Sequence, residues 1–236
     1  MEKFGIVIPS SNTTIEKEFN EKLKGMATVH TSRIRLRAVN VEELTRFEDD
    51  VIDETGKLAD AGVDVIGLGC TSGSFVKGSR QYLELEERME EVSGVPCVTA
   101  SGSVVRALKA LGSRKVALVT PYIAEVTKLE ETLLNDHGFT VTARRYAGIV
   151  ENTVIGWVAE EEVARWVKGL GSEDFDTVFI SCTNLRTFGI LAGLESALGV
   201  PVISSNSAIL WDMIQRTGLK GHNPGLGRLY EITPYL

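Results

Sequence analysis

Two cysteines in matching surroundings are the residues best suited to do chemistry. Cys70 closes the run Asp64-Val65-Ile66-Gly67-Leu68-Gly69 and leads into Thr71-Ser72-Gly73-Ser74. Cys182 closes Asp176-Thr177-Val178-Phe179-Ile180-Ser181 and leads into Thr183-Asn184-Leu185-Arg186. A thiol where a buried strand gives way to a helix faces free N–H groups, which favour thiolate and lower its pKa. Two isolated thiols facing one small anion suit proton transfer or covalent addition. Cys97 sits inside the run from Val95 to Thr99 and reads as a small buried core residue. No metal is expected, because His30, His137 and His222 are scattered and neither CxxC nor HxxxH spacing occurs. No nucleotide cofactor is expected either. Gly67-Leu68-Gly69 with Gly73 gives GxGxxxG after the third strand of its unit, not the first, and there is no Walker A pattern.

Polar loops accompany the thiols. Pro9-Ser10-Ser11-Asn12-Thr13-Thr14-Ile15-Glu16 has capping-box spacing between Thr13 and Glu16, so a helix starts there. Its free N–H groups, with Ser10 and Asn12, make an anion site. Tyr122, in Thr120-Pro121-Tyr122-Ile123, can donate a hydrogen bond to a ligand oxygen, and Asn152 follows a strand closely enough to reach a cleft. Arg33 is equally well explained as an ion-pair residue and is left outside the site.

These groups need elements to hold them, and the chain spells those elements twice. The two cysteine runs match at an offset of 112, and so do Lys3-Phe4-Gly5-Ile6-Val7-Ile8-Pro9 and Lys115-Val116-Ala117-Leu118-Val119-Thr120-Pro121. Gly94-Val95-Pro96-Cys97-Val98 and Gly199-Val200-Pro201-Val202-Ile203 follow in the same order at an offset of 105. Strands are predicted at 3–8, 27–37, 63–69, 95–99, 115–120, 140–146, 176–181 and 200–204. Helices are predicted at 13–24, 41–61, 79–92, 101–111, 124–136, 160–170, 187–198 and 206–217. Continuous apolar strands alternating with helices indicate an α/β fold of parallel sheets covered on both faces. The expectation is two similar lobes of four strands each, related by a pseudo-twofold, with the active site between them. Residues 1–100 form the first lobe and 101–205 the second, and segment 206–236 packs back onto the first.

The 236 residues, 43% hydrophobic and 24% charged, can bury a core without disulfides. A net charge of −7 argues against nucleic acid as a partner. No run of 18 apolar residues exists, so no membrane span is expected. The opening residues lack the apolar stretch of a secretory signal, which points to a cytoplasmic protein.

Taken together these residues resemble the aspartate/glutamate racemase superfamily, and within it the branch holding maleate cis-trans isomerase and arylmalonate decarboxylase. The resemblance is carried by IPSSNTTIE (8–16), GCTSGSF (69–75), TPYIAEV (120–126), GIVENTVIG (148–156), SCTNLRT (181–187), GVPVISSNSA (199–208) and NPGLGRL (223–229). It implies a two-lobed, cofactor-independent enzyme acting on a small dicarboxylate, maleate to fumarate, and commonly a homodimer. Cys70 would be the nucleophile that adds to the double bond and Cys182 the acid/base on the neighbouring carbon. Asn12, Tyr122 and Asn152 would hold carboxylates, and backbone N–H groups at Thr71, Ser72 and Thr183 would form an oxyanion site. The presence of Cys70 argues against a one-cysteine decarboxylase. The residues after each cysteine depart from amino-acid racemases. A racemase, a decarboxylase of a substituted malonate and the ectoine-utilisation proteins of the branch stand as alternatives, with a small-acid binding protein as the non-enzymatic one.

Overall fold

The computed structural model describes residues 1–45, 48–171, 174–219 and 222–232. The strands are β1 (Glu2–Pro9), β2 (Ala27–Ile34), β3 (Val65–Leu68), β4 (Cys97–Thr99), β5 (Lys115–Thr120), β6 (Thr140–Tyr146), β7 (Thr177–Ile180) and β8 (Val202–Ser204). They form two parallel sheets of identical order, β2-β1-β3-β4 and β6-β5-β7-β8. The helices are α1 (Ile15–Lys22), α2 (Val41–Thr45), α3 (Glu48–Asp60), α4 (Gln81–Ser93), α5 (Ala100–Ala110), α6 (Ala124–Asp136), α7 (Asn152–Trp157), α8 (Glu160–Lys168), α9 (Leu191–Leu198) and α10 (Ser205–Gln215). Single 3-10 turns lie at Ser72–Ser74 and Arg228–Glu231. The fold is α/β, with helices flanking each sheet.

The duplication extends to individual hydrogen bonds. Asp64 N–H donates to the Lys3 carbonyl and Asp176 N–H to that of Lys115. The side chains of the same aspartates accept from the N–H groups of Lys3 and Lys115. Gly69 and Ser181 then pair with Val7 and Val119 at the far ends of the strands. Central strands β1, β3, β5 and β7 read as continuous apolar runs because both of their faces are covered. Edge strands β2 and β6 carry more polar residues and are only partly buried.

Several elements differ from the sequence reading. Strand β2 stops at Ile34, not 37, because the chain then leaves its sheet. The Glu43 carboxylate accepts from Arg37 N–H and Ala38 N–H, both at 3.0 Å. Ala38 forms an antiparallel bridge with Glu151, and Val39 N–H donates to the Val150 carbonyl at 2.9 Å, in the other half of the molecule. The predicted helix 41–61 is represented by α2 and α3, and residues 46 and 47 lie outside the described residues. Helix α1 starts at Ile15 without the capping box. Asn12 Oδ1 takes the N–H groups of Thr14 and Ile15, and Glu16 pairs with Arg33. Helix α9 starts at Leu191, not 187, because the Thr187 and Phe188 N–H groups are bound by Glu18. Helix α7 is one the sequence reading lacks. Its six residues, with three β-branched, are too few to show a helical period.

Helices α5 and α10 begin alike, with Thr99 and Ser204 accepting from the N–H three residues on. The two pack against each other, and Arg106 and Ser103 of α5 bind the Asp212 carboxylate of α10. Although α10 follows the last strand of the second sheet, it lies on β3 of the first. A Cβ added at Gly67 would come 2.9 Å from Met213 Sδ. After α10 the tail returns to it, and the Tyr230 hydroxyl donates to the Ser207 carbonyl at 2.8 Å. Tail residues 220, 221 and 233–236 lie outside the described residues.

Candidate active site

The carboxyl ends of β1, β3, β5 and β7 converge between the sheets, where open parallel sheets place their ligands. They deliver Pro9, Cys70, Tyr122 and Cys182 to one buried cavity, which is completed by Thr71, Ser72, Thr183, Asn152, Leu36 and Val39. Its volume is about 10 Å³, close to the room one water needs. The site is therefore closed, with Leu36 and Val39 of the crossing segment 35–40 forming part of its wall. A larger surface cleft of about 480 Å³ lies beside α1, α8 and the 186–189 segment, but neither cysteine lines it.

Short side chains hold the two cysteine loops together. Thr71 Oγ1 donates to Ser205 Oγ at 2.9 Å, and Ser205 Oγ also accepts from Cys182 N–H at 3.0 Å. Thr183 Oγ1 donates to the Gly69 carbonyl at 2.8 Å, across the lobes. Asn184 N–H points at Cys182 Sγ, at 3.4 Å. Cys182 has φ of 99°, the one positive value outside glycine among the described residues. Backbone strain of this kind is retained where the surroundings force it, and it concentrates at functional sites. Gly69, before Cys70, lets the chain pass close to α1, since an added Cβ would lie 3.0 Å from Ile8 and 3.1 Å from Ile15.

Of the residues singled out in the sequence, Cys70, Cys182, Tyr122, Asn152, Thr71, Ser72 and Thr183 all line the cavity. Asn152 opens α7, where its Nδ2 donates to Ser11 Oγ at 2.8 Å. Asn12 and Ser10 are not among the lining residues. The Asn12 amide donates to Thr183 Oγ1 at 3.0 Å while its oxygen caps α1, and the Ser10 hydroxyl bonds the backbone of Leu36. Arg33 holds the same loop by donating to the Asn12 carbonyl at 2.9 Å. Sequence reasoning missed Ser205 and Asn184. Both stand in quoted motifs, but their cross-loop bonds join residues far apart in sequence.

The expected lowering of the thiol pKa values is overturned in the closed site. Burial pushes Cys70 up to about 11, partly offset by the Gly73 N–H and the Ser72 hydroxyl. Burial pushes Cys182 up to about 12, against the Asn184 N–H and the Tyr122 hydroxyl. Desolvation of the charged form wins because the lining supplies dipoles but no cation. Cys70 also raises Cys182, as expected of neighbouring acids.

A sequence profile of the arylmalonate decarboxylase family matches residues 4–230. The chain belongs to the arylmalonate decarboxylase family. Within it, the chain is 33% identical over 206 residues to arylmalonate decarboxylase of Bordetella bronchiseptica, covering 85% of each chain. It is similar to a solved alanine variant of maleate isomerase from Pseudomonas putida S16 with maleate, at 27% identity, a TM-score of 0.94 and 98% of each chain. It is also similar to a serine variant of Nocardia farcinica maleate cis-trans isomerase with a covalently bound succinylcysteine intermediate. There the identity is 26% and the TM-score 0.92, covering 97% of this chain and 98% of that one. This member of the family is an enzyme, similar to maleate isomerases over almost its whole length. Among the described residues no helix is long and apolar enough to cross a membrane.

Proposed function

We propose that the protein is a cofactor-independent cis-trans isomerase of a small dicarboxylate, converting maleate to fumarate. The observation that carries this reading is the meeting of Cys70 and Cys182, from equivalent strand ends of the two repeats, in one cavity. Cys70, as thiolate, attacks one alkene carbon and forms a C–S bond. The π pair moves to the adjacent carbon, which takes the Cys182 proton. The resulting single bond rotates. Cys182, now thiolate, removes a proton from that carbon, the double bond re-forms and the C–S bond breaks, restoring both cysteines.

Tyr122 and Asn152 of the lining hold the carboxylates, Asn12 joins them when its amide leaves Thr183 Oγ1 as the site opens, and the N–H groups of Thr71, Ser72 and Thr183, with Ser10 supporting the loop, stabilise the charge that develops on them. None of those three N–H groups forms a turn or loop hydrogen bond among the described residues, which leaves them available. A dicarboxylate is larger than the closed cavity, so the segments at 35–40 and 149–152 separate to admit it. The same reading holds the protein to be a cytoplasmic homodimer, for which light scattering of the purified chain tests the dimer.

The test is to add maleate and follow fumarate by NMR, with Cys182→Ser examined by mass spectrometry for a substrate adduct on Cys70. An active wild type and a trapped adduct are expected, and no conversion of maleate or related dicarboxylates sinks the reading. The likeness to arylmalonate decarboxylase supports decarboxylation of a substituted malonate as the second reading. Cys70→Ala separates the two, because a one-cysteine decarboxylase survives it.

A further inference from the structure

Behind Cys182 lies a carboxyl group that the reaction above does not use. Glu130, on α6, is fully buried. Its Oε1 is hydrogen-bonded at 2.6 Å to the hydroxyl of Ser181, the residue before Cys182, and its Oε2 is buried with no hydrogen-bond partner. Tyr122 lines the same cavity as Cys182, and its hydroxyl partly offsets the effect of burial on that thiol. The buried carboxyl is thus hydrogen-bonded to the residue that precedes Cys182, with Tyr122 lining the cavity beside the same thiol.

The first repeat supplies a contrast. Glu18 is the equivalent residue, 112 positions earlier, and is also buried. Both of its oxygens are occupied: Oε1 accepts from Thr187 N–H at 2.7 Å and Phe188 N–H at 3.0 Å, and Oε2 accepts from Asn206 Nδ2 at 2.6 Å. Three N–H donors make Glu18 an anchor. Glu130 meets one hydroxyl, and burial pushes its carboxyl up to about 8.

We propose that Glu130 is a positioning residue for Cys182, acting through Ser181. Protonated, Glu130 donates to Ser181 Oγ and frees the Ser181 hydroxyl to donate toward the site. Ionised, it can only accept, so it draws the Ser181 hydrogen to itself and sets a negative charge behind the thiol. The proposal rests on the reading of Cys182 as acid/base. Tyr122 and Cys182 are the titratable groups facing Glu130, and both stay neutral near pH 8. On the same helix and on β6, Lys128 and Arg144 pair with Glu131 instead.

The test is a pH titration of cysteine 13Cβ resonances by NMR, without substrate, assigned with single Cys→Ser variants. The Cys182 resonance is expected to show an inflection near pH 8, and that of Cys97, in β4, none. Glu130→Gln keeps a donor and cannot ionise, so the inflection disappears and kcat on maleate at pH 7 stays within about threefold. Glu130→Leu removes the donor, so kcat falls about tenfold while KM changes less than about twofold. An inflection retained in Glu130→Gln, or a wild-type kcat in Glu130→Leu, overturns the proposal. If the leucine variant does not fold, the nearly isosteric glutamine variant decides. The NMR result needs no substrate, so a wild type that converts no dicarboxylate defeats the isomerase reading and removes the kcat arm, while the Cys182 inflection and its loss in Glu130→Gln still decide whether Glu130 is coupled to that thiol.

Discussion

A thiol at the end of a buried strand meets two opposing influences. N–H groups ahead of it favour the thiolate, and the loss of water disfavours it. At Cys70 and Cys182 the second prevails, since the offsetting groups are two dipoles at each sulfur and no cation lines the cavity among the described residues. The resting site therefore holds neutral thiols at pH 7. The attacking thiolate is a minor species, and kcat/KM for isomerisation is expected to rise nearly tenfold per pH unit between pH 7 and 8. A rate that is flat or falls over that range, measured with maleate as dianion, contradicts the raised Cys70 value. The strained φ of Cys182 adds a second cue at this scale. It is a conformation that a residue with a Cβ adopts only under constraint.

At the scale of elements, the cysteine loops are positioned from the opposite repeat. Glu18, on α1, binds the backbone at 187 and 188 and, through Asn206, the Thr183 carbonyl, so a helix of the first repeat braces the loop that follows β7 in the second. Burial raises Glu18 from 4.5 to about 7 despite these donors. Between those two values the native state keeps a proton that the unfolded chain has released, so this group's contribution to stability is lost as pH rises from 4.5 to about 7. Urea denaturation of wild type and Glu18→Gln at pH 5 and pH 7.5 checks the sign. The wild type should lose more stability over that interval than the variant. The crossing at 38–39 and 150–151 is the other bracing contact, and it is held by few backbone bonds over the cavity that substrate must enter.

On the scale of the whole molecule, the two sheets are joined where α5 meets α10. Arg106 donates through Nε to Asp212 at 2.7 Å and through Nη1 and Nη2 to Glu86 at 3.0 and 2.7 Å. Asp212 is buried, with Ser103 and Arg216 as its other partners. Arg106→Met leaves the buried carboxylate underpaired, and a loss of about 3 kcal/mol is expected, read as a lower urea midpoint at unchanged slope. A shift of less than about 1 kcal/mol would show that Ser103 and Arg216 suffice to hold that charge at the seam.

The repeat, the parallel order of the sheets and the paired cysteines were legible in the residues themselves. Continuous apolar strands and the 112-residue offset are local patterns, and each repeat folds by the same local rules. Cys70, Tyr122, Asn152 and Cys182 could be singled out because strand ends of parallel sheets face ligands, while Thr71, Ser72 and Thr183 came in only with the family resemblance. The tertiary structure decided what depends on contacts between residues far apart in sequence. Ser205 bridging Thr71 and Cys182, the use of Asn12 on Thr183, the Leu36 and Val39 wall and the carboxyls of Glu18 and Glu130 all arise across elements. So does the state of the thiols. A loop start can be read from spacing, but the loss of water around a sulfur depends on which side chains close over it, and only the folded chain brings those together.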